Sequence, residues 1–397
     1  MKLLDPPFRA ASRRRRVLFL NNQGLGSIGG GVSIMRHLVE AFAPDMDVTV
    51  MSYDLPDQAP AGVRQLQMPA PPLPATALWR FAPLIRARHM ARTVTRAELE
   101  AADLVIVLDC HAALALNGGA PSKIVYLSLS CIARQERAGG RGRLPCAQYA
   151  WLERRAALMA DHVVVASQVH AAELARWEGL RRLRPIVLNP CLPSSGLPSS
   201  TVAARPPAGQ MPTILCAARM QPEKSFTLAL ELAARLRDTP YRLVFAGDGP
   251  QRGALQAQAA SAGIADRVNF AGPTQNLPAL LAQADILLHT STYESFGMVV
   301  FEAMRAGVVP VGRRDPGLIL GYQEIVRDGV DCRLLDLTDL DTAATEFRRL
   351  LIDADERACL GEAARMSARR ILSGPSYADR FRDLLGVPAV LKEPALA

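Results

Sequence analysis

The chain has 397 residues, of which 49 % are apolar and 21 % charged, with a formal net charge of +8. Such a chain suits two or three soluble domains, each able to bury a core without staples. No apolar run reaches the roughly 18 residues of a membrane span, and the seven scattered cysteines, with no C-x-x-C, argue against a disulfide framework or a structural zinc site.

The first residues, MKLLDPPFRAASRRRR, read as no secretory signal, because the charge follows a short apolar patch that Pro6 and Pro7 interrupt. Residues 1–190 carry 24 Lys and Arg against 15 Asp and Glu, so the basic surplus sits in this half. It is the mark either of an anionic partner or of a solvated basic tail at Arg13–Arg16. The half contains no recognisable nucleic-acid module.

Val17–Asn21 predicts a buried parallel strand, and a Gly-rich loop, Gly24 to Gly31, leads into a helix over Val32–Phe42. Further strands are expected at Asp47–Met51, Ala102–Leu108, Lys123–Leu127 and His162–Ala166. Between them, Leu78, Trp79, Phe81 and Ile85 lie among Arg80, Arg86, Arg88, Arg92 and Arg96. The last three arginines are spaced to share one helical face, which would suit an anionic membrane surface. Arg134, Arg137, Arg141 and Arg143 read as a second basic loop. Asn189–Met211 is rich in Pro and Ser and reads as a linker.

The alternation then restarts. Strands are expected at Thr213–Ala217, Tyr241–Ala246, Val268–Ala271, Ile286–His289 and Val308–Gly312, and helices at Leu228–Leu236, Gln251–Ala262 and Gly297–Ala306. The fold class is therefore α/β, with two Rossmann-like, doubly wound domains whose ligands bind outside the carboxyl ends of the strands. The expected division is 1–190, a linker at 191–211, a second domain at 212–373, and a C-terminal helix or tail at 374–397 that returns to the first domain.

Arg219 and Lys224 follow the strand Thr213–Ala217, and two cations five residues apart on a loop can grip one polyanion. Gly247-Asp248-Gly249-Pro250 ends the strand Tyr241–Ala246, where glycines let backbone approach a ligand. In Glu294-Ser-Phe-Gly-Met-Val-Val-Phe-Glu302, one carboxylate precedes a helix and the other lies within it. The helix start around Phe296, Gly297 and Met298 offers amides to an anion.

These motifs, in this order from Thr213 to Leu335, resemble glycosyltransferase family four, the large retaining family with the GT-B fold. The Glu-x7-Glu pattern with its internal Phe-Gly is the strongest element. Gln323-Glu-Ile-Val326 followed by Asp328-Gly329 resembles the family's closing segment, and Gly29-Gly30-Gly31 its Gly-Gly entry loop. The resemblance implies a nucleotide-sugar donor, held without a metal or a further cofactor. Arg219 and Lys224 would hold the diphosphate, Glu302 the ribose, and Glu294 the transferred sugar, facing the two cations across the phosphates. It implies sugar transfer to an acceptor hydroxyl; the basic and apolar stretches point to a lipid-linked or envelope-glycan (or exopolysaccharide) acceptor at the cytoplasmic membrane face, and the scattered cysteines to a reducing cytosol.

Two departures stand out. Where the family often carries a histidine, this chain has Ser128-Leu-Ser130, and His111 lies one strand earlier. His111, Ser128 and Ser130 are candidate contacts to sugar or acceptor, with His111 open to a plain loop role. Arg313-Arg-Asp-Pro-Gly-Leu-Ile-Leu-Gly321 replaces a shorter Gly-rich loop, which would alter the sugar or phosphate contacts. Asp353-Ala-Asp355 matches a metal-binding Asp-x-Asp only formally. Two alternatives remain. One is a nicotinamide oxidoreductase, from Gly24, Gly26 and Gly29 with Asp45, Asp47 or Asp54 as the ribose acid. The other is a GT-B protein that binds nucleotide-sugar without transferring it.

Overall fold

A computed structural model describes residues 13–27, 29–55, 60–72, 77–117, 123–177, 184–192, 211–274 and 276–386. Most of the expected linker, 193–210, and the tail beyond 386 lie outside these residues. The chain divides into two compact units: one of residues 1–133, 142–192 and 375–397, the other of residues 134–141 and 193–374.

The elements of the first unit are β1 (Arg15–Leu20), α1 (Gly30–Phe42), β2 (Met46–Ser52), β3 (Val63–Gln67), α2 (Ala82–Thr93), α3 (Arg96–Ala101), β4 (Leu104–Val107), β5 (Lys123–Ser128), the start of α4 (Ile132–Ala138), α5 (Arg143–Met159), β6 (His162–Val165), α6 (Gln168–Trp177) and β7 (Ile186–Val187). The seven strands form one parallel sheet, in the order β3-β2-β1-β4-β5-β6-β7. The central strand β4, Leu104-Val-Ile-Val107, is buried at every position, as a strand covered on both faces must be.

The second unit continues with β8 (Thr213–Ala217), α7 (Phe226–Ala234), β9 (Arg242–Ala246), α8 (Arg252–Ser261), β10 (Val268–Gly272), α9 (Leu277–Leu281), β11 (Ile286–Leu288), β12 (Tyr293–Glu294), α10 (Met298–Ala306), β13 (Val309–Arg313), β14 (Ile319–Leu320), β15 (Arg333–Leu335), α11 (Leu340–Ile352) and α12 (Ala354–Leu372). Its parallel sheet runs β10-β9-β8-β11-β13-β15, and β12 pairs with β14 in a separate ribbon. The core joins Cys216, Phe226, Leu230, Phe245, Leu288 and Val311, with Phe347 from α11. The expectation of two doubly wound parallel sheets is met.

The last helix, α13 (Tyr377–Leu385), belongs to the first unit. A capping box at Ser376 and Asp379 starts it and Gly386, at φ 63°, ends it. Arg382, nearly fully buried, holds Asp45 through both carboxylate oxygens at 2.8 and 2.7 Å and lies over the Phe42 ring of α1.

Two sequence expectations need correction, and a third reading is given its structural reason. Arg88, Arg92 and Arg96 do not share one helix: α2 stops at Thr93, and Thr95 caps a new helix in a capping box with Glu98. Arg96 sits on α3 and pairs with Glu100 at 2.7 Å. The basic stretch from Arg134 is not a plain loop, since Arg134 and Arg137 lie on α4 and Arg141 pairs with Glu136. Asp353 caps α12 by accepting from the Glu356 amide at 2.8 Å, so the formal Asp-x-Asp is a helix start. The side chain of Leu78 lies outside the described residues.

Candidate functional site

In the second sheet, β8 is followed by β9 on one side and neighbours β11 on the other. The chain reverses direction across the sheet there, and the loops leaving the carboxyl ends of those two strands flank a crevice. One is the loop Ala218–Ser225 and the other His289–Gly297. The fold thus brings Lys224 and Glu294, 70 residues apart, into contact: Lys224 Nζ donates to Glu294 Oε2 at 2.8 Å. Sequence reasoning had them facing each other across a phosphate; here they meet directly.

Several constraints fix this pair. Ser225, next to Lys224, is the one non-glycine residue with positive φ among the described residues, at 50°. Strain of that kind persists only where surrounding contacts over-determine the backbone. Thr290 Oγ1 donates to the Lys224 carbonyl at 2.8 Å, and the Thr292 amide donates to the Glu223 carbonyl at 2.8 Å. The Glu294 backbone is held in turn by β14, because Tyr293 and Glu294 pair with Ile319 and Leu320. The segment from Arg313 to Gly321 therefore has a structural purpose at the site.

The two arginines of that segment do not reach out for a ligand. Arg313 is 5 % exposed and ion-paired with Asp315. It also donates from Nη1 to the Thr290 carbonyl at 3.0 Å, so it buttresses the residue that holds Lys224. Asp315 accepts from the Leu337 amide at 3.0 Å. Arg314 turns to Glu346 at 3.1 Å and the Leu334 carbonyl at 2.7 Å. Tyr322, fully buried, packs so tightly on Gly312 that a Cβ there would lie 2.7 Å from its ring. Its hydroxyl accepts from the Arg313 amide at 2.8 Å, and its ring meets His289 edge-on at 5.1 Å.

Electrostatics separates the two carboxylates of the motif. Burial pushes the Glu294 carboxyl up, but Lys224 and the His289 ring, whose Nε2 lies 3.4 Å away, outweigh it and bring it down to about 2. Glu294 is therefore an anion throughout the neutral range. Glu302, on α10, has Arg305 as a weaker counterweight, and burial raises it to about 7. Glu302 changes charge near neutrality, and a diol that hydrogen-bonds to it would drive it to the ionised form.

Gly297 and Gly307 bracket α10 at φ 87° and 74°, the left-handed conformation that favours glycine at helix ends. Phe296 is 2 % exposed, so any ligand contact there is made by backbone. Arg219 is exposed, and Met220 beside it is anchored by its amide to the Asp248 carbonyl at 2.9 Å. The glycines of Gly247-Asp248-Gly249-Pro250 are explained by this contact: a Cβ on Gly247 would lie 2.0 Å from the Ala218 carbonyl oxygen, and one on Gly249 2.4 Å from that of Met220. They admit the Arg219 loop.

In the first unit, Gly29 and Gly30 are exposed at the start of α1, and a Cβ on Gly31 would press on Leu129 at 3.0 Å. His111 does not line an open wall. It is 2 % exposed, hydrogen-bonded through Nδ1 to Asp109 at 2.6 Å and set edge-on to Tyr149. Ser128 is equally buried and lies 3.4 Å from His170 Nε2, whereas Ser130 is half-buried. The dinucleotide reading loses two of its three candidate ribose acids. Asp54 spends both carboxylate oxygens on its own loop, accepting from the Gly24 amide at 2.7 Å and from Ser27 Oγ at 2.5 Å. Asp45 is taken by Arg382, and a Cβ on Gly24 would lie 1.8 Å from the Asp54 carbonyl oxygen.

Sequence reasoning missed His289, Thr290, Asp315 and Tyr322. His289, as the polar end of an apolar strand immediately before the motif, was the one that could have been found.

Comparison with known proteins agrees with this geometry. Residues 202–367 match the model of the family described as glycosyl transferases group 1, and residues 29–191 that of the glycosyl transferase 4-like domain. The chain is similar to N-acetyl-alpha-D-glucosaminyl L-malate synthase of Bacillus anthracis, at 35 % identity over 126 residues, 32 % of each chain. It is also similar to the GDP-mannose-dependent alpha-(1-6)-phosphatidylinositol monomannoside mannosyltransferase of Mycolicibacterium smegmatis, at 32 % identity over 170 residues, 40 % of this chain and 43 % of the relative. The chain thus spans less than half the length of these curated relatives. Among solved structures, Anabaena HepE in complex with UDP and glucose superposes with a TM-score of 0.70 at 18 % identity, over 93 % of this chain and 98 % of that one.

Proposed function

We propose a function for a chain that resembles glycosyltransferase family four in both halves and has the GT-B fold: retaining transfer of a sugar from a nucleotide-sugar donor to an acceptor hydroxyl, with no metal required. The observation that carries this reading is the Lys224–Glu294 pair at the point where the second sheet reverses, with Arg219 and Glu302 on adjoining elements. Arg219 and Lys224 bind the donor diphosphate and stabilise the charge that develops on it as the anomeric bond breaks. Glu294, ionised and held, accepts hydrogen bonds from the sugar hydroxyls. Glu302 accepts from the ribose diol, while amides at Phe296, Gly297 and Met298 and the turn Gly247-Asp248-Gly249 complete the donor pocket within the second unit. The acceptor hydroxyl arrives on the face the phosphate leaves from, and the departing phosphate takes its proton.

The acceptor in this reading is a lipid-linked or envelope glycan, used at the cytoplasmic face of the membrane. The similarity to an enzyme named for a phosphatidylinositol mannoside supports it. Ser130 remains the most accessible acceptor contact of the three candidates. No helix among the described residues is long and apolar enough to cross a membrane.

Glu302 supplies a test. Its folded-state value, about 7, lies above the ordinary 4.5, so its ionisation opposes folding: the stability it contributes is full below 4.5 and lost as pH rises through 7. Binding a ribose to the ionised carboxylate has the opposite sign and tightens as pH rises. Nucleoside diphosphate affinity should increase about tenfold between about pH 6 and about pH 8. Glu302→Gln should flatten that profile in titration calorimetry. A pH-independent affinity in the native protein would remove Glu302 from the ribose.

A further inference from the structure

Helix α5 carries an exposed apolar ridge that the donor chemistry leaves unused. Leu144, Trp151 and Leu158 are 45 %, 45 % and 62 % exposed, and they are spaced seven residues apart. Seven residues is close to two helical turns, so the three side chains stand almost in line over about 21 Å. Ala147 lies in the same ridge and is also exposed. At about 100° per residue, Arg143 and Arg154 fall along one flank of the ridge and Arg155 along the other. The opposite face of the helix, with Cys146, Tyr149, Leu152 and Ala156, is buried in the first unit.

The charge around the ridge has one sign. Helix α5, helix α2 and the 3₁₀ turn Ala77–Phe81 pack together, and Gln148 Nε2 donates to the Arg80 carbonyl at 3.1 Å. The sole acidic residue in these three elements is Glu153, which is 0 % exposed and accepts from the amides of Ile132 and Ala133. Exposed Arg88 and Arg92 on α2 and exposed Arg80 add to the positive field. The Arg155 guanidinium lies 5.5 Å from the centre of the Trp151 ring and is tied to Asn117 Oδ1 at 3.1 Å, which holds the indole on the outside of the helix.

We infer that this face of α5, the ridge Leu144–Trp151–Leu158 between arginines, docks on an anionic phospholipid bilayer, lying in the plane of the interface. An apolar ridge alone names no occupant. Arginines on both flanks, with no exposed acid in these three elements, are complementary to anionic headgroups and disfavour a second copy, which would bring like charges together. Indole and aliphatic side chains enter the headgroup boundary while arginine stems run along them to keep the charge in water. The assignment moves the membrane contact from the α2 and α3 arginines alone to α5. It deepens the lipid-acceptor reading above and rests on it for its use in the cell, but vesicle binding and donor turnover are read separately.

The test is flotation of the full chain with vesicles of phosphatidylcholine and phosphatidylglycerol, and with phosphatidylcholine alone, at low salt. The native chain should float with the anionic vesicles, and added salt should release it. Trp151→Ser with Leu158→Ser should lower partitioning by about tenfold or more. Arg143→Glu with Arg154→Glu should lower it about fivefold or more per arginine. All four positions are exposed, so melting and nucleoside diphosphate binding should not change. If those two readouts hold while vesicle binding falls, the inference stands. It is overturned if the native chain stays unbound, if it binds neutral and anionic vesicles equally, if the substitutions leave flotation unchanged, or if they dissolve a dimer instead.

Discussion

Replacing Lys224 by alanine should lower turnover about 10²- to 10³-fold, the cost of removing a charge donor aimed at a developing oxyanion. The geometry adds a second consequence. Glu294 owes its low value to Lys224 first and His289 next, against burial that pushes it up. With the ammonium gone, the His289 ring alone opposes burial and the carboxyl titrates higher. Residual activity in Lys224→Ala should therefore rise with pH over a range where the native profile is flat with respect to Glu294. A stopped assay of nucleoside diphosphate release across pH checks both parts. Turnover near the native value, with no new pH dependence, would contradict the role given to Lys224.

Asp315→Ala should be the most destabilising of the substitutions considered, because it strands the Arg313 guanidinium in the core. The two side chains are 7 % and 3 % exposed. Breaking a buried ion pair from one side costs about 3–5 kcal/mol, which for a unit of this size is a fall of roughly 6–20 °C in its melting temperature. Arg313→Ala should do the same by stranding Asp315. Replacing both, as Arg313→Met with Asp315→Leu, should recover part of the loss, since no charge is left unpaired. The recovery is partial because the Thr290 carbonyl and the Leu337 amide lose their partners. Calorimetric scans of the three variants check this, and singles that melt within a degree or two of the native protein would contradict it. Arg313→Ala should also lose activity beyond its instability, since Arg313 steadies Thr290 and Thr290 steadies Lys224.

The two sheets were legible because parallel strands covered on both faces are continuous apolar runs. Thr213–Ala217 is read to the residue, and β4 and β11 to within two. The strands that escaped are short or at edges. β3, Val-Arg-Gln-Leu-Gln, has one buried residue in five, and β7 and β15 have two and three residues. The break between α2 and α3 was legible and was overridden by charge spacing: Thr95 and Glu98 are a capping box in plain view. The site divides in the same way. Arg219, Lys224, Glu294 and Glu302 belong to a pattern fixed along the chain. What steadies them does not, because β14 against β12 and Arg313 against Asp315 depend on where the fold returns a segment. From sequence alone an arginine is a free charge, and only the fold shows Arg313 already spent.

The most direct test of the account is the stereochemistry of the reaction. The native chain is incubated with UDP-, GDP- and ADP-α-sugars and a lipid-linked acceptor, and the anomeric proton of the product is followed by NMR alongside release of the nucleoside diphosphate. The account predicts release with at least one donor, an α-configured product, and a fall of about 10²- to 10³-fold in both signals in Lys224→Ala. A β-configured product, or release that Lys224→Ala leaves intact, would contradict it.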